Sequence, residues 1–362
     1  MRLGVGAALV DGALVPGDIE LADGRVAAVG LSSANGDGIA SPGFVDLQVN
    51  GFAGVDFFSA DTDGYRRAGV SLLECGVTSY QPTFITSPED ALLAALAEVP
   101  KNGAAPRVLG AHLEGPFISP ERLGTHPAEA RRDPDLALLE RLLAAGSVSH
   151  MTLAPELPGA LELVDVLRQR GITVSCGHSD ATASEAREAF ARGAKTVTHI
   201  FNAMRPFAAR DPGLAGAALV ANEVDVQVIL DGVHLADDTA RLVWQAAAGR
   251  VAIVTDAIAA AHAGDGSYTL AGVDFEVEDG VARNADRVLA GSTVCMIDAV
   301  RNLVALGASV EAALSAATQL PAQIAGSPEL GTLAPGTVAD VVVLDDSLDI
   351  QRVLVRGEDA FG

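Results

Sequence analysis

Short, almost continuously apolar segments alternate with longer segments rich in Ala, Leu, Glu and Arg through the middle of the chain. Apolar runs of this length are typical of buried strands, and the longer segments have the composition of helices. The predicted strands include residues 107–113, 150–154, 173–176, 196–200, 227–230 and 251–255. The predicted helices include residues 134–145, 159–170, 183–192, 236–248, 292–306 and 309–318. This alternation favours parallel strands covered by helices.

The repetition extends over roughly 280 residues, which fits an α/β fold of the (β/α)8 TIM-like barrel class. Both chain ends differ from the centre, because each reads as short strands joined by tight turns such as Asp11-Gly12. We therefore expect a small β-sandwich from residues 1–42 and 329–362, with the barrel at 43–328. A doubly wound open sheet is the alternative, and it is less favoured because no glycine-rich phosphate loop follows the first central strand.

Composition and charge narrow the function. The chain has 362 residues, 49% of them hydrophobic, and a formal net charge of -23, which argues against a nucleic-acid partner. No apolar run reaches the length of a membrane span, so we expect a soluble cytoplasmic protein. This charge would repel an anionic substrate, so local arginines and backbone N–H groups would be needed to bind one. The cysteines Cys75, Cys176 and Cys295 are widely spaced, and we expect buried thiols rather than a disulfide or zinc-thiolate site.

Side chains that can ionise or bind metal follow five successive predicted strands at the same end. They are Glu114, His178, His199, His234 (with Asp231) and Asp256. The carboxyl ends of barrel strands form the active site in barrel enzymes. A single histidine near a strand is more often a structural hydrogen-bond partner, but five positions in register predict a site.

Glu114, His178 and His199 form a carboxylate-plus-two-imidazole set that suits zinc, iron or another divalent ion. Three protein ligands leave one position for water, which is the pattern of catalytic zinc. Asp256 is then the expected acid/base residue, because a carboxylate beside such a water can take its proton and later return it. We expect one divalent ion per chain, zinc first, with iron, cobalt, manganese or cadmium as alternatives.

The other histidines fit this set less well. His112 alternates with Glu114 on one strand and is interpreted as a structural or supporting residue, because the three-ligand set is complete without it. His150 lies at the start of its predicted strand and is interpreted as structural. His262 lies in a Gly/Ala-rich loop, and we expect it to be exposed or part of a lid.

A second metal is not expected. Dinuclear barrels often use His-x-His on the first strand together with a bridging lysine, but this chain has Gln48 and Asn50 at the corresponding spacing. The only lysines are Lys101, in a Pro-Lys-Asn-Gly turn, and Lys195, which begins the strand that leads to His199. Neither lies at the right strand end. Gln48 and Asn50 are therefore expected to occupy the place of a second metal as supporting amides.

The motifs of the chain resemble those of the N-acetylglucosamine-6-phosphate deacetylase family of the amidohydrolase superfamily. They extend through most of the chain and include PGFVDLQVNG (42–51), GVTSYQPTFITS (76–87), HLEGPF (112–117), GTH (124–126), TLAPE (152–156), GHSDAT (177–182), THIFNAM (198–204), DPGLAG (211–216), DGVH (231–234), VTDA (254–257) and GSTVCM (291–296).

The resemblance implies hydrolysis of the acetamide of N-acetyl-D-glucosamine 6-phosphate to D-glucosamine 6-phosphate and acetate, within amino-sugar metabolism. It implies the same metal ligands, Asp256 as the acid/base, and a homodimer. It also implies a set of substrate-binding residues, namely Thr125, His126, Asn202, Ala203, Arg210, His234, Leu289, Ala290 and Gly291.

Two positions depart from the family pattern, Arg205 and Cys295, and they leave the fine substrate preference open. Two rival interpretations also remain. Another single-metal amidohydrolase, such as a deaminase or cyclic amidase, would share the ligands but would not need Arg210 or His126. A catalytically silent barrel used as a scaffold is disfavoured, because it would have no reason to keep ligands and acid/base together.

Overall fold

The computed structural model describes residues 1–32, 36–101 and 105–361. Its strands are β1 (Ala7–Val10), β2 (Ala13–Pro16), β3 (Asp18–Ala22), β4 (Arg25–Leu31), β5 (Ile39–Pro42), β6 (Phe44–Val49), β7 (Gly51–Phe52), β8 (Val55–Asp56), β9 (Val77–Ile85), β10 (Arg107–Val108), β11 (Ala111–Glu114), β12 (Val148–Leu153), β13 (Thr173–Cys176), β14 (Thr196–Val197), β15 (Asp225–Val228), β16 (Val251–Ile253), β17 (Gly266–Leu270), β18 (Val273–Glu278), β19 (Val281–Asn284), β20 (Val341–Leu344), β21 (Ile350–Val355) and β22 (Glu358–Asp359).

The helices are α1 (Thr62–Glu74), α2 (Glu89–Glu98), α3 (Leu136–Ala145), α4 (Ala160–Gln169), α5 (Ala183–Arg192), α6 (Gly213–Val220), α7 (Asp237–Ala246), α8 (Met296–Ala305), α9 (Val310–Ala317) and α10 (Gln319–Ile324), followed by a 3-10 turn at Pro328–Gly331. Local sequence explains several of their starts. Thr182 and Glu185 form a reciprocal capping box on α5, and Asp135 accepts two backbone N–H groups at the start of α3.

Eight parallel strands form a nearly closed barrel in the order β6, β9, β11, β12, β13, β14, β15, β16. The prediction of a TIM-like barrel is confirmed. The closing seam between β16 and β6 has a single backbone bridge, Val49 with Ala257. Side chains reinforce this seam: Asp46 accepts hydrogen bonds from the hydroxyl of Thr255 (2.6 Å) and from its backbone N–H (3.2 Å).

The chain ends meet in one mixed sheet, in the order β2-β1-β5-β20-β21-β22. Strand β20 pairs with β5 on one side and β21 on the other, so C-terminal residues lie at the centre of this sheet. The β3–β4 hairpin packs against it through Ile19, Leu21 and Val26. The expected sheet of N- and C-terminal strands is confirmed, while the domain boundaries at residues 42 and 328 remain a prediction.

Some elements were not predicted. Helix α6 is buried over nearly its whole length, and strands β17–β19 form a separate antiparallel sheet after β16. The turn expected at Lys101 extends onto residues 102 and 103, which lie outside the described residues. Within the described part of the chain, no helix is long and apolar enough to cross a membrane.

Candidate active site

A cavity of about 240 Å³ opens at the carboxyl ends of the barrel strands. Most of the side chains predicted for the site line it. They are Asn50, Glu114, Thr125, His126, His178, His199, Asn202, Ala203, His234, Asp256, Leu289 and Gly291. The sequence therefore predicted most of the polar wall, and the barrel brings it together from different strands.

Three buried donor atoms converge on one point of this cavity. Glu114 Oε1 lies 3.0 Å from His178 Nε2 and 2.8 Å from His199 Nε2, and the two nitrogens are 3.2 Å apart. Ligand atoms about 2.1 Å from a tetrahedral ion are separated by about 3.4 Å. The triangle is close to that size, so this Glu/His/His group fits a divalent metal.

The backbone at these positions is unusual. Glu114 is the last residue of β11, whereas His178, His199 and Asp256 follow their strands in the left-handed region, with φ of 47°, 28° and 51°. Such conformations cost on the order of 1 kcal/mol or more for residues with a Cβ, and they cluster at functional sites. The left-handed turn directs each side chain from the end of its strand into the cavity.

Contacts around Glu114 hold the group in its charged form. Burial alone would raise the pKa of this carboxyl, but the contacts of His126 and His178 outweigh burial and hold the pKa well below its usual range. His178 Nδ1 lies 3.0 Å from the carbonyl oxygen of Arg122, which fixes the proton on that nitrogen and leaves Nε2 toward Glu114.

His126, which was expected to contact the substrate, is buried beside Glu114. Its Nε2 is 3.7 Å from Glu114 Oε2, and its Nδ1 is 3.0 Å from the hydroxyl of Thr86. Burial lowers the pKa of His126 to about 4, so the ring is neutral near pH 7. His126 therefore contacts the Glu/His/His group as well as the cavity.

Asp256 faces the same cavity from the end of β16. Asn50 donates a hydrogen bond from Nδ2 to Asp256 Oδ1 at 2.7 Å, so Oδ2 is the oxygen left for a ligand. Burial and then the nearby Glu114 charge raise the pKa of Asp256 to about 6. A carboxyl with its pKa near neutrality is suited to accept and return a proton.

The two amides of the first strand differ in their surroundings. Asn50 contacts Asp256, not Glu114. Gln48 is fully buried, and neither of its amide atoms has a partner among the described residues. Their assignment as the amides in place of a second metal stays a prediction.

The expected substrate residues divide into two groups. His234 lines the cavity with its Nδ1 2.7 Å from Asp231 Oδ2, and the Thr125 hydroxyl has no partner within the described part of the chain. In contrast, Ala290 is completely buried and Arg210 is exposed, and neither lines the cavity.

The remaining histidines, His112, His150 and His262, differ in their surroundings. His112 is buried behind the cavity, 3.0 Å from the Leu47 carbonyl and 2.7 Å from the Thr152 hydroxyl, and it stacks on His150. His262 has 43% of its side chain exposed and pairs with Glu74.

Sequence reasoning missed part of the cavity wall. Ile85, Ile229, Leu270 and Val288 supply its apolar side. Of these, Leu270 ends β17 in the unpredicted β17–β19 sheet. The alternation of Val273–Glu278 and the Asp279-Gly280 turn was the available signal for that sheet.

Comparison with known proteins identifies the class of the chain. The model of the family described as "Amidohydrolase family" matches residues 39–359. Because this match covers almost the whole chain, the protein belongs to the amidohydrolase family.

Individual relatives narrow this assignment. The chain is 40% identical over 303 residues to N-acetylglucosamine-6-phosphate deacetylase of Homo sapiens, covering 79% of this chain and 74% of that protein. It is 38% identical over 291 residues to N-acetylgalactosamine-6-phosphate deacetylase of Escherichia coli O157:H7, covering 78% and 77%. A mutant N-acetyl-D-glucosamine-6-phosphate deacetylase of Mycobacterium smegmatis, solved with N-acetyl-D-glucosamine 6-phosphate, superposes with a TM-score of 0.95 at 36% identity and 99% coverage of each chain. Within its family, the chain groups with the N-acetylglucosamine-6-phosphate deacetylases.

Proposed function

We propose that this protein hydrolyses the acetamide of N-acetyl-D-glucosamine 6-phosphate, giving D-glucosamine 6-phosphate and acetate. The observation that carries the proposal is the convergence of Glu114, His178, His199 and Asp256 on one cavity. It occurs in a chain that is 36–40% identical to such deacetylases. A silent scaffold would not need buried donors at ligand spacing beside a carboxyl of raised pKa.

We further propose that Glu114 Oε1, His178 Nε2 and His199 Nε2 hold one divalent ion, with zinc as the first candidate. The support is the donor chemistry and the separations of 2.8 to 3.2 Å between those atoms. When bound, such an ion polarises a carbonyl and brings the pKa of a water to about 7.

The residues of the chain supply the proton transfers. Asp256 Oδ2 takes the proton of the attacking water as the new C–O bond forms. It then delivers that proton to the sugar nitrogen as the C–N bond breaks. Asn50 holds Oδ1 at 2.7 Å, which fixes the rotation of the carboxyl throughout. His126, neutral and buried beside Glu114, stays a polar contact for the bound sugar derivative.

The phosphate is proposed to meet Arg210 and neighbouring backbone N–H groups. Arg205, in the same loop, is engaged by Asp180 and Asp211 at 3.1 Å each. Arg210, in contrast, is exposed. A substrate phosphate carries about -1.5 to -2 charges near neutral pH. A local guanidinium is needed to attract this phosphate against the repulsion of a chain with a net charge of -23.

Acetate release from three sugars tests the function. N-acetylglucosamine 6-phosphate should be turned over by zinc-loaded protein, and the unphosphorylated sugar much more slowly. No turnover of the first sugar would refute the deacetylase assignment, while equal turnover of both would refute the phosphate role of Arg210. N-acetylgalactosamine 6-phosphate is the third substrate because of the 38% identity to a deacetylase of that sugar. A clear preference for it would change the proposed substrate but not the reaction.

We also propose a homodimer. Phe207 and Val220 are 57% and 71% exposed, and both lie at helix α6, whose Gly216 closely approaches the Phe207 ring. Large exposed apolar side chains on one face are typical of protein contacts. Light scattering on the purified protein should give twice the chain mass, and the monomer mass would contradict the proposal.

A further inference from the structure

Cys75, Cys295 and His262 come together outside the active site, although they are far apart in sequence. Cys75 directly follows α1, and Cys295 directly precedes α8. The two sulfurs lie 2.7 Å apart, and His262 Nδ1 lies 3.9 Å from one and 4.0 Å from the other. The sequence predicts buried thiols, and the structure has Cys75 and Cys176 as buried free thiols and Cys295 as a half-buried one. The contact of Cys75 with Cys295 was not predicted.

We propose that these three side chains form a second metal-binding site, for a divalent ion that favours thiolates, such as zinc. Two thiolates and one imidazole are a donor set typical of zinc, and their ligand atoms all lie within 4.8 Å of one another. Binding displaces the two thiol protons, and the charges of two thiolates and one divalent ion cancel. This inference does not depend on the proposed deacetylase activity.

The environment of His262 favours a metal over a disulfide. Its Nδ1 is almost equidistant from the two sulfurs, and its Nε2 lies 3.1 Å from Glu74 Oε2. A carboxylate on the second nitrogen orients and strengthens histidine ligands of metals, and a disulfide would have no use for it.

The sulfur separation requires one small adjustment. Two sulfurs on one tetrahedral zinc are separated by about 3.8 Å, because each Zn–S bond is about 2.3 Å. The sulfurs therefore move apart by about 1 Å on binding, which a small rotation of the half-buried Cys295 side chain supplies. His262 and Glu74 are 43% and 45% exposed, so an ion can enter from solvent on this side.

The site shares loops with the active site. His262 lies six residues after Asp256, and Cys295 lies four residues after Gly291, which lines the cavity. Segments 256–262 and 291–295 therefore each have one end at the cavity and the other end at the group of Cys75, Cys295 and His262. An ion held at the cluster fixes the far ends of both loops.

Cobalt(II) distinguishes this site from the active site, because only thiolate ligation gives intense near-ultraviolet charge-transfer absorption. The test uses the full chain, reduced and then freed of metal, with Glu114→Gln included as a background that disables the active-site ligands. Cobalt should give the charge-transfer band in wild type and in Glu114→Gln, at one equivalent per chain in the latter. Zinc should then displace the cobalt and remove the band.

Variants identify the ligands. Cys295→Ser should lose the band, whereas Cys176→Ala, which removes the third thiol, should keep it. His262→Ala and Glu74→Gln change exposed side chains and leave both thiols in place, so they keep the protein testable if Cys295→Ser does not fold. Both should weaken cobalt binding, Glu74→Gln by about 10- to 100-fold.

Three results would overturn the proposal. The first is the absence of the band in reduced wild-type protein. The second is cobalt affinity unchanged in His262→Ala. The third is a Cys75–Cys295 disulfide that forms by oxidation with dissolved oxygen even when zinc is present, seen as a protein mass lower by two hydrogens with no bound metal.

Discussion

Single residues at the strand ends carry the proposed chemistry of this protein, and Asp256 is the residue on which the proposed reaction depends most. Its carboxyl is held on one oxygen by Asn50, and its pKa is raised to about 6 by burial and by Glu114. The backbone at Asp256 is left-handed, with φ of 51°, so the side chain leaves β16 toward the cavity. Its position and its protonation therefore have separate physical causes.

Asp256→Asn separates proton transfer from metal binding. The amide keeps the shape of the side chain and its Oδ1 can still accept from Asn50, but it cannot take a proton. We expect turnover to fall by at least about 100-fold, with the metal content of the protein unchanged. Acetate release and elemental analysis of the same sample check this. Loss of the active-site metal instead would show that Asp256 is a ligand.

Gly291 is required beside Asp256 for a steric reason. Its φ is +69°, and a Cβ there would lie 2.7 Å from the Asp256 carbonyl oxygen and 2.7 Å from Ile258 Cγ2. Gly291→Ala must therefore displace the backbone at Asp256, and we expect kcat to fall by about 10- to 100-fold.

Gly326→Ala is the matched control for Gly291→Ala. Gly326 has a similar φ of +72°, but a Cβ there meets no atom within 4 Å. The control should show the same backbone strain and retain its activity. Equal losses in the two variants would contradict a local steric effect at Asp256.

At the scale of elements, the repeating strand–helix units of the barrel could be predicted from the sequence, whereas elements outside that repeat could not. Barrel strands β11 to β16 are buried apolar runs that predict strands, and the candidate side chains at their ends follow from the topology. Strand β9, whose run contains Thr, Ser, Tyr and Gln, was not predicted. Helix α6 is apolar on all sides and has no helical period, which is why it was missed. Cys75 and Cys295 are in contact although they are 220 residues apart in the sequence, and a local sequence pattern cannot predict a contact over such a separation.

Asp46 connects the first and last barrel strands and makes this seam sensitive to pH. Burial raises its pKa to about 7 despite hydrogen bonds from Thr255. A carboxyl with a raised folded-state pKa contributes stability below its unfolded pKa and loses that contribution as pH rises through about 7. The wild-type protein therefore loses stability as pH rises from about 4 to about 7, because Asp46 ionises at a lower pH in the unfolded chain than in the buried seam.

Asp46→Asn should remove this pH dependence. The amide oxygen can still accept backbone N–H groups, and the amide nitrogen can donate to the Thr255 hydroxyl. Relative to wild type, the variant should gain roughly 2 to 4 kcal/mol in free energy of unfolding between pH 4 and pH 8. Urea unfolding at several pH values measures the gain, with the exposed Asp238→Asn as control. A constant difference between Asp46→Asn and wild type would refute the assignment.

At the scale of the whole molecule, both chain ends are built into one sheet that is attached to the barrel. Asp340 lies at this junction, because its backbone oxygen accepts from Gly43 and its side chain accepts from the Arg356 N–H at 2.8 Å. Arg107 of β10 reaches the same carboxyl at 3.2 Å. Asp340 is 3% exposed and Arg107 29%, so this ion pair is largely shielded from water.

Removal of Arg107 should therefore weaken the attachment of the end sheet to the barrel. Arg107→Ala leaves the buried Asp340 carboxylate without its charged partner, and we expect the free energy of unfolding to fall by about 1 to 3 kcal/mol. In the Asp340→Asn background the same change should cost less, because no buried charge is left unpaired, and a double-mutant cycle by urea denaturation gives the difference. The exposed pair of Arg66 with Asp63, 67% and 71% exposed, is the control, and Arg66→Ala should change stability by less than about 0.5 kcal/mol. Equal costs of Arg107→Ala in both backgrounds would show that the ion pair does not join the two parts.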